Sequence, residues 1–139
     1  MEVNVIGAMA WLNPVADLFY HLKAGQIVGI SSVAGDRGRV GNPAYNASKA
    51  ALSCYLEGLR NRLTRHGVNV LTVKPGFVDT IMVKNAAKVF WLITPDQASD
   101  RIWAGIRKRK QEIYVPGKWR WVMLIIRNIP SFIFRRLSF

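Results

Sequence analysis

Residues that staple a chain or ligate a metal are scarce in this sequence. Cys54 is the one cysteine, which excludes an internal disulfide framework and suits a reducing compartment. The two histidines, His21 and His66, stand far apart with no cysteine or carboxylate cluster around them, so the ligand spacings of a metal site are missing and none is expected. No uncharged apolar run is long enough to predict a membrane-spanning helix. The opening Met1-Glu2 lacks the basic n-region of a signal peptide. Acid is scarce too: eight Asp and Glu stand against 20 Lys and Arg, and no acid follows Glu112. Residues 101–139 hold ten basic side chains and one acid, a net +9 of the +12 carried by all 139 residues. That balance points to anionic partners: a nucleic acid, an anionic membrane surface or an anionic substrate.

Hydrophobic residues are plentiful, at 50%, so the chain is expected to fold around a core rather than remain disordered. Val5, Met9, Leu12, Ala16, Phe19 and Tyr20 recur at three-to-four spacing, which predicts a helix over 1–24 with a kink or break at Pro14. GQIVGISS (25–32) reads as a buried strand, and the glycine-rich VAGDRGRVGNP (33–43) as a loop. A helix from Pro43 to Arg65, stopped by Gly67, leads to a second buried strand, VNVLTV (68–73). Thr94, Pro95 and Gln97 form a capping-box signature at the start of a helix over 94–110. EIYVPG (112–117) is a third short strand. Helices alternating with continuous apolar strands predict an α/β fold, a parallel sheet covered on both faces. Ligands of such sheets bind beyond the carboxyl ends of the strands. Ser31-Ser32 follow the first strand and Pro75-Gly76 the second.

Tyr45 and Lys49 lie one helical turn apart, on one face. A phenol ordinarily holds its proton to about pH 10, and a nearby ammonium favours the phenolate. A tyrosine tuned in this way can give or take a proton at neutral pH. Alone, such a pair is common on surface helices, and a serine at a strand end is usually a cap. Ser32 before the pair, a glycine-rich loop between, and Pro75-Gly76 after the next strand make a far narrower pattern. These groups suit proton movement on an alcohol or carbonyl while another group moves a hydride.

At ISSVAG (30–35), YNASKAAL (45–52) and VNVLTVKPGFVDT (68–80) the chain resembles the short-chain dehydrogenase/reductase family, and VNVIGA (3–8) looks like that family's helix with the catalytic asparagine. The resemblance covers residues 3–117. It implies a Rossmann-type doubly wound parallel sheet and an NAD(P)H cofactor. It implies that Tyr45 is the general acid in reduction or base in oxidation, with Lys49 tuning it and bonding the nicotinamide ribose beside it. Ser32 would polarise the substrate carbonyl, and Asn4 would hold a water that links Lys49 to solvent. The alternative for Asn4 is a polar residue on a solvated helix face. Pro75 and Gly76 would wall the nicotinamide, and Val78 and Thr80 would contact its carboxamide or the diphosphate.

The family's glycine-rich turn, TGxxxGxG, which cradles the pyrophosphate at a helix N-terminus, has no counterpart in these residues, nor has its NNAG-type motif. The resemblance therefore implies the C-terminal, catalytic half of a reductase: three strands with flanking helices over 1–117, followed by a basic apolar tail over 118–139. Such a chain is expected to be a truncated form that neither binds cofactor tightly nor turns over, with one edge of its first strand open. The residues that choose between NADH and NADPH are not among these. A rival reading is a non-catalytic remnant acting as a basic membrane- or partner-binding module.

WRWVMLIIRNIPSFIFRRLSF (119–139) mixes four arginines with Trp, Phe, Ile and Leu, and Pro130 divides it. It reads either as a helix packed on the core or as an interfacial segment whose arginines meet anionic lipid. It is too apolar for nucleic acid. With AGDRGRVGNPAY (34–45), this ending is similar to a branch that includes decaprenylphosphoryl-2-keto-ribose reductases, which implies a lipid-linked keto sugar as substrate. A cytoplasmic enzyme, peripheral on the inner membrane face, follows as the expectation. In the family the helices matching 1–24 and 43–65 form a four-helix dimer interface, so a homo-oligomer is expected of a full-length protein.

Overall fold

The computed structural model describes residues 1–81 and 89–137. Three strands, β1 (Gly25–Ile30), β2 (Val68–Pro75) and β3 (Glu112–Val115), form one parallel sheet in the order β1-β2-β3. Gly25 to Ile30 pair with Val68 to Val73, and Thr72 to Pro75 with Glu112 to Val115. Parallel neighbours need long crossovers, and helices supply them here. Between β1 and β2 lies α2 (Pro43–Leu63), and between β2 and β3 lies α3 (Pro95–Arg107).

The central strand explains the layering. Val68 to Lys74 of β2 are all buried, as befits a strand covered on both faces. Its side chains alternate between two cores. Val68 and Val70 meet Leu52, Leu56, Leu59 and Leu63 of α2 and Ala16 of α1 (Ala8–Leu22). Leu71 and Val73 meet Ala98 of α3, with Ile93 and Val115. The sheet is therefore doubly wound, with helices on both faces, as the sequence pattern predicts. Among the described residues β1 pairs on one side only, so the open first edge is present.

The helix ends follow their sequence signals. Asn42 caps α2 by accepting the Tyr45 N–H, and Pro43 occupies the first turn. Thr94 and Gln97 make both bonds of the capping box at α3. Two expectations need correction. Of the kink or break expected at Pro14, the break is absent, because α1 runs through it. Pro14 and Ala10, whose carbonyl loses its partner, are both exposed, so water can satisfy the freed oxygen. The irregularity lies earlier, in a π-helical turn over Glu2–Gly7. The 33–43 segment also opens with a short 3-10 turn, Val33–Gly35, capped by Ser32.

The tail forms α4 (Trp119–Asn128) and α5 (Ser131–Phe134), divided at Pro130. Trp119 and Met123 are buried in a third cluster with Val33, ringed by Phe77, Tyr114, Val122 and Ile126. Ser138 and Phe139, the end of the expected tail, lie outside the described residues.

Candidate active site

The carboxyl end of β1 is stitched to the first turns of α2. Lys49 Nζ donates to the Ile30 carbonyl at 3.0 Å. One residue on, Ser31 Oγ donates to the Lys49 carbonyl at 2.9 Å and shares a 2.7 Å hydrogen bond with Ser53 Oγ. Gly35 returns against the same turn so closely that a Cβ there would stand 2.7 Å from the Lys49 carbonyl carbon. No residue with a side chain fits that approach. These contacts hold Ser32 beside the turn that carries Tyr45 and Lys49.

Lys49 Nζ lies 5.8 Å from the centroid of the Tyr45 ring. It is half-buried, and burial lowers its pKa from the ordinary lysine range. An ammonium has three donors and the Ile30 carbonyl engages one, which leaves hydrogen-bonding capacity on the Tyr45 side. Ser32 is buried, and its Oγ accepts the Ala34 N–H at 3.1 Å. Its own proton goes to the Pro75 carbonyl at 3.4 Å, a length at which an O–H···O bond is weak. A carbonyl oxygen arriving at normal distance would win that proton.

Asn4 sits on the π-helical turn, a distortion that recurs at functional sites. Its Nδ2 donates to Ser48 Oγ at 3.2 Å, and Ser48 Oγ donates to the Tyr45 carbonyl at 2.8 Å. The structure thus brings Asn4 to α2 one residue before Lys49. Pro75 ends β2, and the Gly76 N–H extends the ladder to the Val115 carbonyl at 2.9 Å. A Cβ on Gly76 would stand 1.9 Å from Trp119 Nε1. That indole N–H is buried and without an acceptor among the described residues. Val78 bridges to Ile93, and Thr80 is exposed. An apolar groove of about 350 Å³ beside α3, lined by Val78, Pro95, Ala98, Ile102 and Trp103, includes none of Ser32, Tyr45 and Lys49.

The family model for short chain dehydrogenases matches residues 1–89. The chain belongs to that family. An uncharacterized oxidoreductase of Myxococcus xanthus is 38% identical over 117 residues, which are 84% of this chain and 46% of that protein. Another, from Mycobacterium tuberculosis, is 31% identical over 137 residues, 99% of this chain and 55% of that one. A short chain dehydrogenase from Burkholderia cenocepacia, solved in complex with NADP, superposes with a TM-score of 0.83 at 26% identity, covering 99% of this chain and 56% of that one. The chain spans about half the length of the relatives that it matches.

One cluster in this family member carries no motif that the sequence reading used. Lys74 Nζ lies 2.8 Å from Asp36 Oδ1 and 2.8 Å from Glu112 Oε2, with the Lys74 and Asp36 side chains only 6% and 4% exposed. The Tyr114 hydroxyl donates to Asp36 Oδ2 at 2.6 Å. Burial pulls the Lys74 pKa down, but the hydrogen bonds that its ammonium donates to Asp36 and Glu112, with their negative charge, outweigh it and leave it raised. Burial and the Asp36 hydrogen bond push Tyr114 up to about 12. The cluster ties the turn after Ser32 to β2, just before Pro75, and to β3. One signal was available: a lysine closing the apolar run VNVLTV.

Proposed function

We propose that these residues are the catalytic half of an NAD(P)-dependent oxidoreductase acting on a carbonyl or alcohol. The observation that carries the reading is the stitching of the β1 end to the Tyr45–Lys49 turn, which puts a hydroxyl, a phenol and an ammonium at the carboxyl edge of a parallel sheet. The nicotinamide end of a cofactor fits the residues present: Lys49 has donors to spare, and Gly76 adds no side chain to the wall beside Pro75. Lys49, Tyr45, Pro75, Gly76, Val78 and Thr80 would hold it. Bound there, the nicotinamide would supply or accept the hydride, and similarity to a dehydrogenase solved with NADP supports that cofactor class.

The chain's own residues account for the proton. In reduction the substrate oxygen takes the Ser32 hydroxyl in place of the Pro75 carbonyl. The Tyr45 phenol gives that oxygen its proton, and the Lys49 ammonium stabilises the phenolate left behind. In oxidation the same groups run in reverse. Asn4, bonded to Ser48 beneath Tyr45, marks where a water could pass a proton onward. The test is oxidation of NADPH and NADH over a ketone panel by a protein carrying both halves of the fold. Tyr45→Phe should remove turnover; an unchanged rate would dismiss the assignment.

No glycine-rich phosphate turn occurs in these 139 residues, so the chain by itself is proposed neither to bind the cofactor tightly nor to turn over. A low-micromolar dissociation constant by calorimetry would overturn that. The rival, a non-catalytic binding module, gains if the two-half protein stays inactive. A keto sugar on a polyprenyl phosphate is proposed as substrate, at the cytoplasmic face of a membrane, supported by the +9 charge of residues 101–139. A homo-oligomer is proposed too. Trp11, Leu18 and Leu22 leave one apolar face of α1 at 79%, 55% and 61% exposure, and sedimentation analysis would detect it.

A further inference from the structure

Helix α4 is apolar on two sides. Trp119, Val122, Met123 and Ile126 form the inner side, packed around Val33. Trp121, Leu124 and Ile125 recur at i, i+3 and i+4 on another side, and are 66%, 54% and 67% exposed. The core therefore accounts for only one of the two stripes. Phe132 and Ile133 of α5 add exposed apolar surface at 61% and 44%. Lys118, Arg120, Arg127, Arg135 and Arg136 are all exposed around this region, and residues 118–137 include no acid.

The two helices are held as one surface by the loop that follows Ser32. Arg37 donates through Nη1 to the Arg127 carbonyl at 2.7 Å and through Nη2 to the Ile129 carbonyl at 2.9 Å, answering carbonyls at the end of α4. The same guanidinium stands 4.4 Å from the centroid of the Phe134 ring in α5.

We infer that the stripe Trp121–Leu124–Ile125, with its arginine rim, is a docking surface for an anionic lipid bilayer. The inference rests on the peripheral association proposed above and specifies which side of the tail makes it. It does not depend on the reaction. Charge selects the occupant. A second copy of this surface would bring like charges together with no acid to pair them, while an anionic headgroup layer meets the arginines and the acyl boundary takes the stripe. The sheet's open β1 edge lies at the far end of the strand order from β3, against which α4 packs. Strands added at that edge would extend away from the stripe.

The experiment is flotation of the whole chain with phosphatidylcholine vesicles, with and without phosphatidylglycerol. The wild type should float with the anionic vesicles and show a blue shift of tryptophan emission that Trp121→Phe reduces. The triple variant Trp121→Ser, Leu124→Ser, Ile125→Ser should lose roughly tenfold or more in partitioning. All three positions are exposed, and circular dichroism will confirm an unchanged fold. Arg120→Gln with Arg127→Gln should weaken binding to anionic vesicles only. Wild-type chain left at the bottom of the gradient would overturn the membrane association itself. Wild-type flotation matched by the triple variant would overturn the stripe while leaving the association standing.

Discussion

Lys49 and Lys74 stand on neighbouring elements at the same edge of the sheet and are treated in opposite ways. Among the described residues Lys49 reaches from α2 to one neutral hydrogen-bond partner, the Ile30 carbonyl, and burial lowers its pKa. Lys74 points from β2 between two carboxylates at 2.8 Å each, and those bonds overcome burial and raise its pKa. A buried cation matched by carboxylates spends its field on them and fixes their positions. A half-buried cation with no carboxylate keeps its field for whatever sits beside it, and beside Lys49 that is Tyr45. The difference separates a lysine that holds the site together from one whose charge is available for chemistry.

The comparison breaks most sharply in activity. In a protein carrying both halves, Lys49→Met and Tyr45→Phe should each cut kcat by about 10²–10⁴-fold. Neither should cost the chain more than about 1 kcal/mol in urea unfolding, because Lys49 has no ion pair among the described residues to lose. Substantial turnover by Lys49→Met would erase the distinction drawn between the two lysines. Lys74→Met should show the reverse pattern. It strands the Asp36 carboxylate, 4% exposed, and the loss of stability should reach about 3–5 kcal/mol. Adding Asp36→Asn removes the stranded charge, so the double variant should recover part of that loss rather than fall further. Additive losses would mean that Lys74 and Asp36 do not act as a pair.

Gly76 offers a smaller perturbation, next to the Pro75 carbonyl that Ser32 bonds. The Cβ of Gly76→Ala would overlap the buried Trp119 indole, and displacing a ring that also meets Phe77 and Trp91 should cost about 1–3 kcal/mol. The double variant Gly76→Ala, Trp119→Leu should be less non-additive if the indole has room to move. Equal stability of Gly76→Ala and wild type would show that it does.

These contrasts were unequally visible in the sequence. Strand and helix order could be read because β1 and β2 are continuous apolar runs and α2 and α3 begin with caps whose side chains are specific to that position. Ser32, Tyr45 and Lys49, the groups proposed to handle the proton, could be singled out because the motif that contains them depends on spacing along the chain. The sheet register sets Lys74 opposite Tyr114 and brings Glu112 to the same strand pair, while Asp36 reaches them from the turn after Ser32, and no local pattern encodes that. The same holds for Arg37, which meets the tail across some 90 residues of sequence. Pro14 misled for a complementary reason: helix propensity counts the lost hydrogen bond, whereas exposure at Ala10 decides whether water replaces it. The tail left two readings open because α4 has two apolar stripes, and only folding shows which one the core uses.

The gentlest probe of the comparison is the proton on Tyr114. Its hydroxyl donates to the carboxylate that Lys74 neutralises, and burial together with that bond pushes its pKa up to about 12. An unfolded tyrosine titrates near 10. A group that binds its proton more tightly when folded stabilises the fold fully below its unfolded pKa, and that contribution disappears as the pH rises through the folded value. Wild type should therefore lose stability between about pH 10 and 12 more steeply than Tyr114→Phe. The variant should already be weaker by about 1–2 kcal/mol at neutral pH, having lost a bond to a charged acceptor. Ultraviolet difference titration of the folded chain should show one tyrosine step near 12 that Tyr114→Phe abolishes. If that step survives the substitution, Asp36 is not holding the phenol, and the cluster around Lys74 is looser than the distances imply.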